Sequence, residues 1–161
     1  MAGPPLLIVW HSRTGASEAM ARAAAEGAGE AAGLVPCAQA TAEQFLASSG
    51  YLFCGPENLA ALSGAMKEML DRLYYPLIGQ IEGRPYATII AAGSDGSGAQ
   101  RQLDRIVTGW RLRRVAEPMI ANFAAQTAET ILAAKIVDSR RLRACAELGA
   151  AMGEGLSQGL F

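Results

Sequence analysis

Residues 11–17 read His-Ser-Arg-Thr-Gly-Ala-Ser, three hydroxyl side chains set around one glycine. They follow the apolar run Leu6–Trp10 and precede an Ala- and Glu-rich stretch that extends to about residue 31. A helix that begins there points its first N–H groups outward without partners of their own. Free N–H groups, hydroxyls and the helix dipole together suit a phosphate. The Gly-Lys-Ser/Thr ending of a nucleoside-triphosphate loop is missing, and no acid precedes Glu18 to hold Mg²⁺. A monophosphate held mainly by neutral donors fits the pattern. The plainer reading is that Ser12 or Thr14 only caps the helix, but a cap needs one hydroxyl and this loop has three.

Two further segments invite attention. Gly55-Pro56-Glu57-Asn58-Leu59 follows the apolar run Tyr51–Cys54, and Ser63 stands where it can cap a helix carrying Lys67. Gly93-Ser94-Asp95-Gly96-Ser97-Gly98 follows the run Tyr86–Ala92, and its three glycines allow backbone to approach a flat ligand closely. Other chemistries lack their residues. The one histidine, His11, has no G-x-S-x-G elbow to serve, and it is too few for a multi-histidine zinc site. It reads as a strand-end residue that faces solvent or caps a turn. Cys37, Cys54 and Cys145 are widely spaced and none has an arginine six positions on, so no disulfide framework, zinc site or Cys-x5-Arg phosphatase is indicated. No metal ligand set and no protein acid or base for catalysis stands out.

The elements that must position these loops alternate. The short apolar runs at 6–10, 51–54 and 86–92 read as buried strands, with a weak strand near 34–38 and a fifth over Val115–Asn122, weakened by Pro118. Gly55-Pro56 should stop the third strand, and Gly33 should end the first helix. Helical spacing appears over 62–73 and from about 99 to 109, and a last helix opens at Asp138 or Ser139. This order predicts an α/β protein: five parallel strands with helices on both faces, one doubly wound domain over residues 1–161. Ligands of such sheets bind beyond the carboxyl ends of the strands, which is where the three loops fall.

Composition narrows the rest. The 161 residues include 32 Ala and 18 Gly against ten aromatics, which suits helices packed close to a sheet. A net charge of −1 argues against a nucleic-acid partner and against an acidic carrier that docks by long-range attraction. No apolar run reaches the ~18 residues of a membrane span, and the start has no basic region of a signal peptide, so a reducing cytoplasm is expected. Arg101, Arg105, Arg111, Arg113 and Arg114 crowd one stretch; a solvated face is the plain reading and a basic edge for a phosphorylated cosubstrate the alternative. Trp110 among them suggests packing under their stems or at a subunit contact. Tyr74 and Tyr75 suggest ordinary packing, or a pocket shared with another subunit.

The sequence resembles the flavodoxin-like FMN proteins, and among them the small NAD(P)H-dependent FMN reductases and flavin quinone reductases. Ser12-x-Thr14-Gly15-x-Ser17 matches their phosphate loop, Ser63-Gly64-x-Met66-Lys67 with Leu70-Asp71-Arg72 matches the helix after their second flavin loop, and Ala92-Gly93-Ser94 matches their third loop. The resemblance spans about residues 5–125. It implies the strand order 2-1-3-4-5. It also implies that Ser12, Arg13, Thr14, Gly15, Ala16 and Ser17 hold the FMN phosphate. Pro56, Glu57, Asn58 and Leu59 would then border the flavin ring on one side, and Gly93, Ser94, Asp95 and Gly98 on the other. Asn58 stands where the family commonly carries an aromatic, and Ala60-Ala61 where it carries Gly-Asn. The implied activity passes reducing equivalents from NAD(P)H through FMN to a small acceptor such as a quinone, with a homodimer or homotetramer permitted. Two alternatives share the fold: a flavodoxin-type electron carrier with no turnover of its own, and a chain that keeps the fold but holds flavin weakly.

Overall fold

The computed structural model describes residues 3–161. Its elements, in chain order, are β1 (Leu6–Trp10), α1 (Ala16–Ala28), β2 (Ala32–Pro36), α2 (Ala42–Ala47), β3 (Gly50–Asn58), β4 (Ala61–Leu62), α3 (Gly64–Leu77), β5 (Pro85–Ala92), α4 (Ser97–Gly109), β6 (Arg113–Arg114), β7 (Met119–Asn122), α5 (Ala128–Leu132) and α6 (Ser139–Ser157). Strands β2, β1, β3 and β5 lie side by side and parallel, and β6 and β7 both pair parallel with β5 at the edge. Counting β6 and β7 as one interrupted strand, and leaving aside the short hairpin strand β4, the order is the expected 2-1-3-4-5.

Alternation along the strands sends side chains to two cores. Leu7, Val9, Tyr51, Phe53 and Ile90 face one side, where Met66, Met69 and Leu70 of α3 and Leu103 and Val107 of α4 cover them. Leu6, Ile8, Leu52, Cys54 and Ile89 face the other, under Met20, Ala21 and Ala24 of α1 and Cys145 and Met152 of α6. Both faces of the central strands are therefore dry, which is why their sequences are continuous apolar runs.

Several expectations need correction. The first helix ends at Gly29, which adopts φ +60, and Gly33 lies inside β2 instead. Gly55-Pro56 does not stop the third strand: β3 runs through to Asn58 and turns back as a hairpin onto β4. That is possible because Gly55 and Pro56 still pair with β5 through the partners Ile90 and Ala91, while the proline stands near the strand's end. The last strand is split, with Pro118 in the gap between β6 and β7. A short helix, α2, occupies the stretch around Phe45, opened by a capping box of Thr41 and Gln44. Trp110 is 7% exposed and packs edge-on to Phe45 in the core, rather than under arginine stems or at a contact.

Of the clustered arginines, 101, 105, 111 and 113 are exposed. Arg114 instead pairs with Asp104 and lies over the Tyr86 ring. Burial, then the hydrogen bond to Asp104, pushes the Tyr86 hydroxyl up to about 12.

Candidate functional site

The carboxyl ends of β1, β3 and β5 open into a cleft of about 1070 Å³. That volume is large enough for a cofactor-sized ligand. A smaller cavity of about 250 Å³ lies elsewhere, at the carboxyl ends of α3 and α4, and is lined by none of the expected site residues.

The first loop leaves β1 with His11, whose N–H donates to the Cys54 carbonyl at 3.0 Å. Gly15 precedes α1 at φ +100, a left-handed conformation that a side chain resists. No side chain caps the helix, contrary to the simple role expected of Ser12 or Thr14. Ser12 Oγ instead accepts from the Gly15 N–H at 3.1 Å, bracing the turn. Among the described residues, the N–H groups of Ala16, Ser17 and Glu18 have no backbone acceptor. Ser17 is 1% exposed, and its hydroxyl has no hydrogen-bond partner at all. A buried polar group without a partner carries a desolvation cost, so this hydroxyl marks a place where a ligand acceptor would be favoured.

The second loop is the β3–β4 hairpin. Its two turn residues, Leu59 and Ala60, have φ +50 and +63. Such a two-residue turn ordinarily takes Asn-Gly, so both residues are strained. Glu57 is the functional surprise. Its carboxylate turns neither to solvent nor freely into the cleft: Oε1 accepts from the Gly96 N–H at 2.8 Å and Oε2 from the Ala99 N–H at 3.0 Å. It thereby caps α4, since Gly96 at the helix start has no side chain of its own. Gly98 allows this approach, since a Cβ there would stand 2.1 Å from the Ala60 carbonyl oxygen. The second and third loops are thus one mechanical unit.

His11 joins the first loop to the second. Its Nδ1 lies 2.8 Å from Ser63 Oγ, which in turn accepts from the Met66 N–H to cap α3 as expected. Burial, then the nearby Arg13 cation, lowers the His11 pKa and favours the neutral ring beside Ser63.

Eleven of the fourteen expected residues line the cleft: Ser12, Arg13, Thr14, Ala16, Ser17, Pro56, Glu57, Asn58, Leu59, Gly93 and Ser94. Gly15 and Gly98 do not line it: Gly15 is the left-handed residue before α1, and Gly98 lies against the Ala60 carbonyl of the hairpin. Asp95 is exposed and accepts from the Ser97 N–H and hydroxyl, which lower its pKa.

A fourth wall was absent from the sequence reading. Residues 123–137 form a strap across the cleft, and Phe123, Ala125, Ile131, Leu132 and Lys135 line it. The rule that ligands meet the carboxyl ends of strands applies equally to the segment after Asn122. That signal was present, but no motif drew attention to it.

Comparison with known proteins places this architecture. Residues 17–129 match the family described as NADPH-dependent FMN reductase. A flavodoxin from Aquifex aeolicus (strain VF5) is 30% identical over 107 residues, 64% of this chain and 58% of its own length. Among solved structures, a flavodoxin from the domain Archaea superposes with a TM-score of 0.76 at 13% identity, covering 94% of this chain and 98% of its own. A flavodoxin, WrbA-like protein from Agrobacterium tumefaciens does so with a TM-score of 0.74 at 17% identity, covering 95% and 97%. These structural likenesses establish the flavodoxin fold.

Proposed function

The chain belongs to the NADPH-dependent FMN reductase family, and on that footing we propose that it is an FMN-dependent oxidoreductase drawing on NAD(P)H and reducing a small acceptor such as a quinone. The observation that carries this reading is the buried, partnerless Ser17 hydroxyl beside the free first-turn N–H groups of α1. Those groups fit a phosphate monoester, and they open onto a cleft large enough for the flavin attached to it.

In this reading Ser12, Arg13, Thr14, Gly15, Ala16 and Ser17 form the phosphate cradle. Pro56, Asn58 and Leu59 border the ring from the hairpin, and Gly93 and Ser94 from the third loop. Glu57, Asp95 and Gly98 act as positioning residues: the first two satisfy the N–H groups that open α4, and the glycine lets hairpin and loop meet. When bound, FMN would supply the two-electron redox chemistry between NAD(P)H and the acceptor. The chain's own work is to hold the phosphate, orient the ring between the two loops and keep one wall dry.

Titration of FMN against the purified chain, read by quenching of flavin fluorescence and by the visible spectrum, tests the binding. Saturable binding at micromolar FMN is expected, and its absence would falsify the reading. Replacing Thr14 with Glu should abolish retention while the fold persists, because a carboxylate would then face the phosphate. Assay of NAD(P)H oxidation with a quinone separates enzyme from electron carrier. Turnover supports the enzyme, whereas bound flavin without turnover supports the carrier.

A further inference from the structure

The strap brings to the first loop a partly buried positive charge beside the loop's own exposed Arg13. It is pinned at both ends by backbone. Phe123 and Ala125 donate to the carbonyls of Ala92 and Gly93, each at 2.8 Å, and the Lys135 N–H donates to the Thr14 carbonyl at 2.8 Å. The Lys135 carbonyl oxygen lies 3.9 Å from where a Cβ on Gly15 would stand. Lys135 is therefore seated on the loop that carries the free N–H groups and the partnerless Ser17 hydroxyl.

Its side chain is also fixed. Nζ donates to the carbonyls of Ile131 and Ala133 at 3.1 and 2.6 Å, at the carboxyl end of α5. An ammonium has three protons, and these two bonds leave one for another acceptor. Among the described residues lining the cleft, the cations are Arg13 and Lys135 and the one carboxylate is Glu57. Arg13 is exposed and screened by solvent, whereas Lys135 is partly buried. Glu57 is already engaged at the start of α4 and does not compete for the lysine.

We propose that Lys135 is a phosphate-recognition residue: the fixed positive charge on the strap that makes the cleft select a flavin monophosphate over the unphosphorylated flavin. The inference rests on the FMN reading above. A phosphate monoester carries a charge of about −1.5 to −2 at neutral pH. Neutral N–H and hydroxyl donors bind it without balancing that charge, whereas an ammonium adds an opposite charge as well as a hydrogen bond. Because Lys135 sits on the strap and not on the loop, phosphate binding would also tie the strap down across the cleft.

The test compares FMN with riboflavin, by fluorescence titration of the full chain and of its Lys135→Ala and Lys135→Arg variants. Lys135→Ala should weaken FMN binding about tenfold and leave riboflavin binding unchanged. Lys135→Arg should restore most of the preference, and raised salt should narrow it in the wild type more than in Lys135→Ala. Unchanged FMN affinity in Lys135→Ala overturns the inference, as does an equal loss for both flavins, which would make the residue part of the wall only. A wild-type chain that binds neither flavin overturns the FMN reading as well, so the two failures are distinguishable.

Discussion

Glycine does opposite work at the two ends of α1. Along the helix, α1 packs against α6 through a seam of small residues. A Cβ on Gly27 would stand 1.9 Å from the Ala146 carbonyl oxygen, and one on Gly149 would stand 1.9 Å from the Ala24 carbonyl oxygen. Both glycines are ordinary helix residues that are needed for their lack of volume. At the start of α1, Gly15 has no atom nearer than 3.9 Å to a Cβ built there, yet it sits at φ +100. It is needed for its backbone freedom. The seam is a stability device, and the loop, with little packing, is the proposed binding device. A chain in which 50 of 161 residues are Ala or Gly uses them for both purposes, and composition alone does not separate the two.

The sharpest way to break the comparison is Gly149→Val. The clash is with backbone, which no rotamer change relieves, so a loss of about 3 kcal/mol is expected. At 2–4 °C per kcal/mol this lowers Tm by roughly 6–12 °C. FMN affinity of the folded protein should hold, and an unchanged melting curve would show the helices free to separate. Gly15→Val is the counterpart. Strain at positive φ costs about 1–2 kcal/mol, and FMN affinity should fall by about tenfold or more as the cradle shifts. A variant that melts lower but binds FMN normally would place the phosphate elsewhere.

Ala60→Gly reverses the sign. It relieves a residue held at φ +63, and a gain of about 0.5–1 kcal/mol in chemical denaturation is expected after the entropy of the unfolded glycine is counted. A loss would mean that the hairpin is not strained.

The smallest effect is His11. Its folded pKa is below the ordinary 6.5, with burial the larger cause and Arg13 the second. As pH falls through 6.5 the unfolded chain takes up a proton that the folded chain resists. Stability should therefore decline from about pH 6.5 downward and level off below the folded pKa. Denaturation at several pH values, with His11→Gln as the control that lacks this component, measures it. An identical pH dependence in the two would remove His11 from the linkage.

What was legible in the sequence follows from how many residues a feature needs. The strands at 6–10 and 86–92 were visible because burial on both faces demands an unbroken apolar run. The proposed phosphate loop stood out because hydroxyls around a glycine are an unusual local cluster. Glu57 was not, because its role depends on two N–H groups some forty positions away, brought near only when β3 and β5 pair. The extension of β3 past Gly55-Pro56 was hidden for a similar reason: its pairing partners lie on β5 and β4. The strap was hidden because its one helix, α5, is only five residues long and too short to show a period, and Lys135 reaches the first loop only through a backbone bond to Thr14, more than a hundred positions away. Local chemistry was readable, whereas the bonds that join one loop to another were not.

The proposed cradle for a flavin's phosphate consists of the free N–H groups of α1 and the partnerless Ser17 hydroxyl. The most direct measurement is the ratio of FMN to riboflavin affinity in the wild type and in Ser17→Ala, by fluorescence titration under one set of conditions. With such a cradle the wild type should favour FMN, and Ser17→Ala should lose about tenfold of that preference without weakening riboflavin. A wild type that binds both flavins equally, or a Ser17→Ala variant that keeps the full preference, would contradict it.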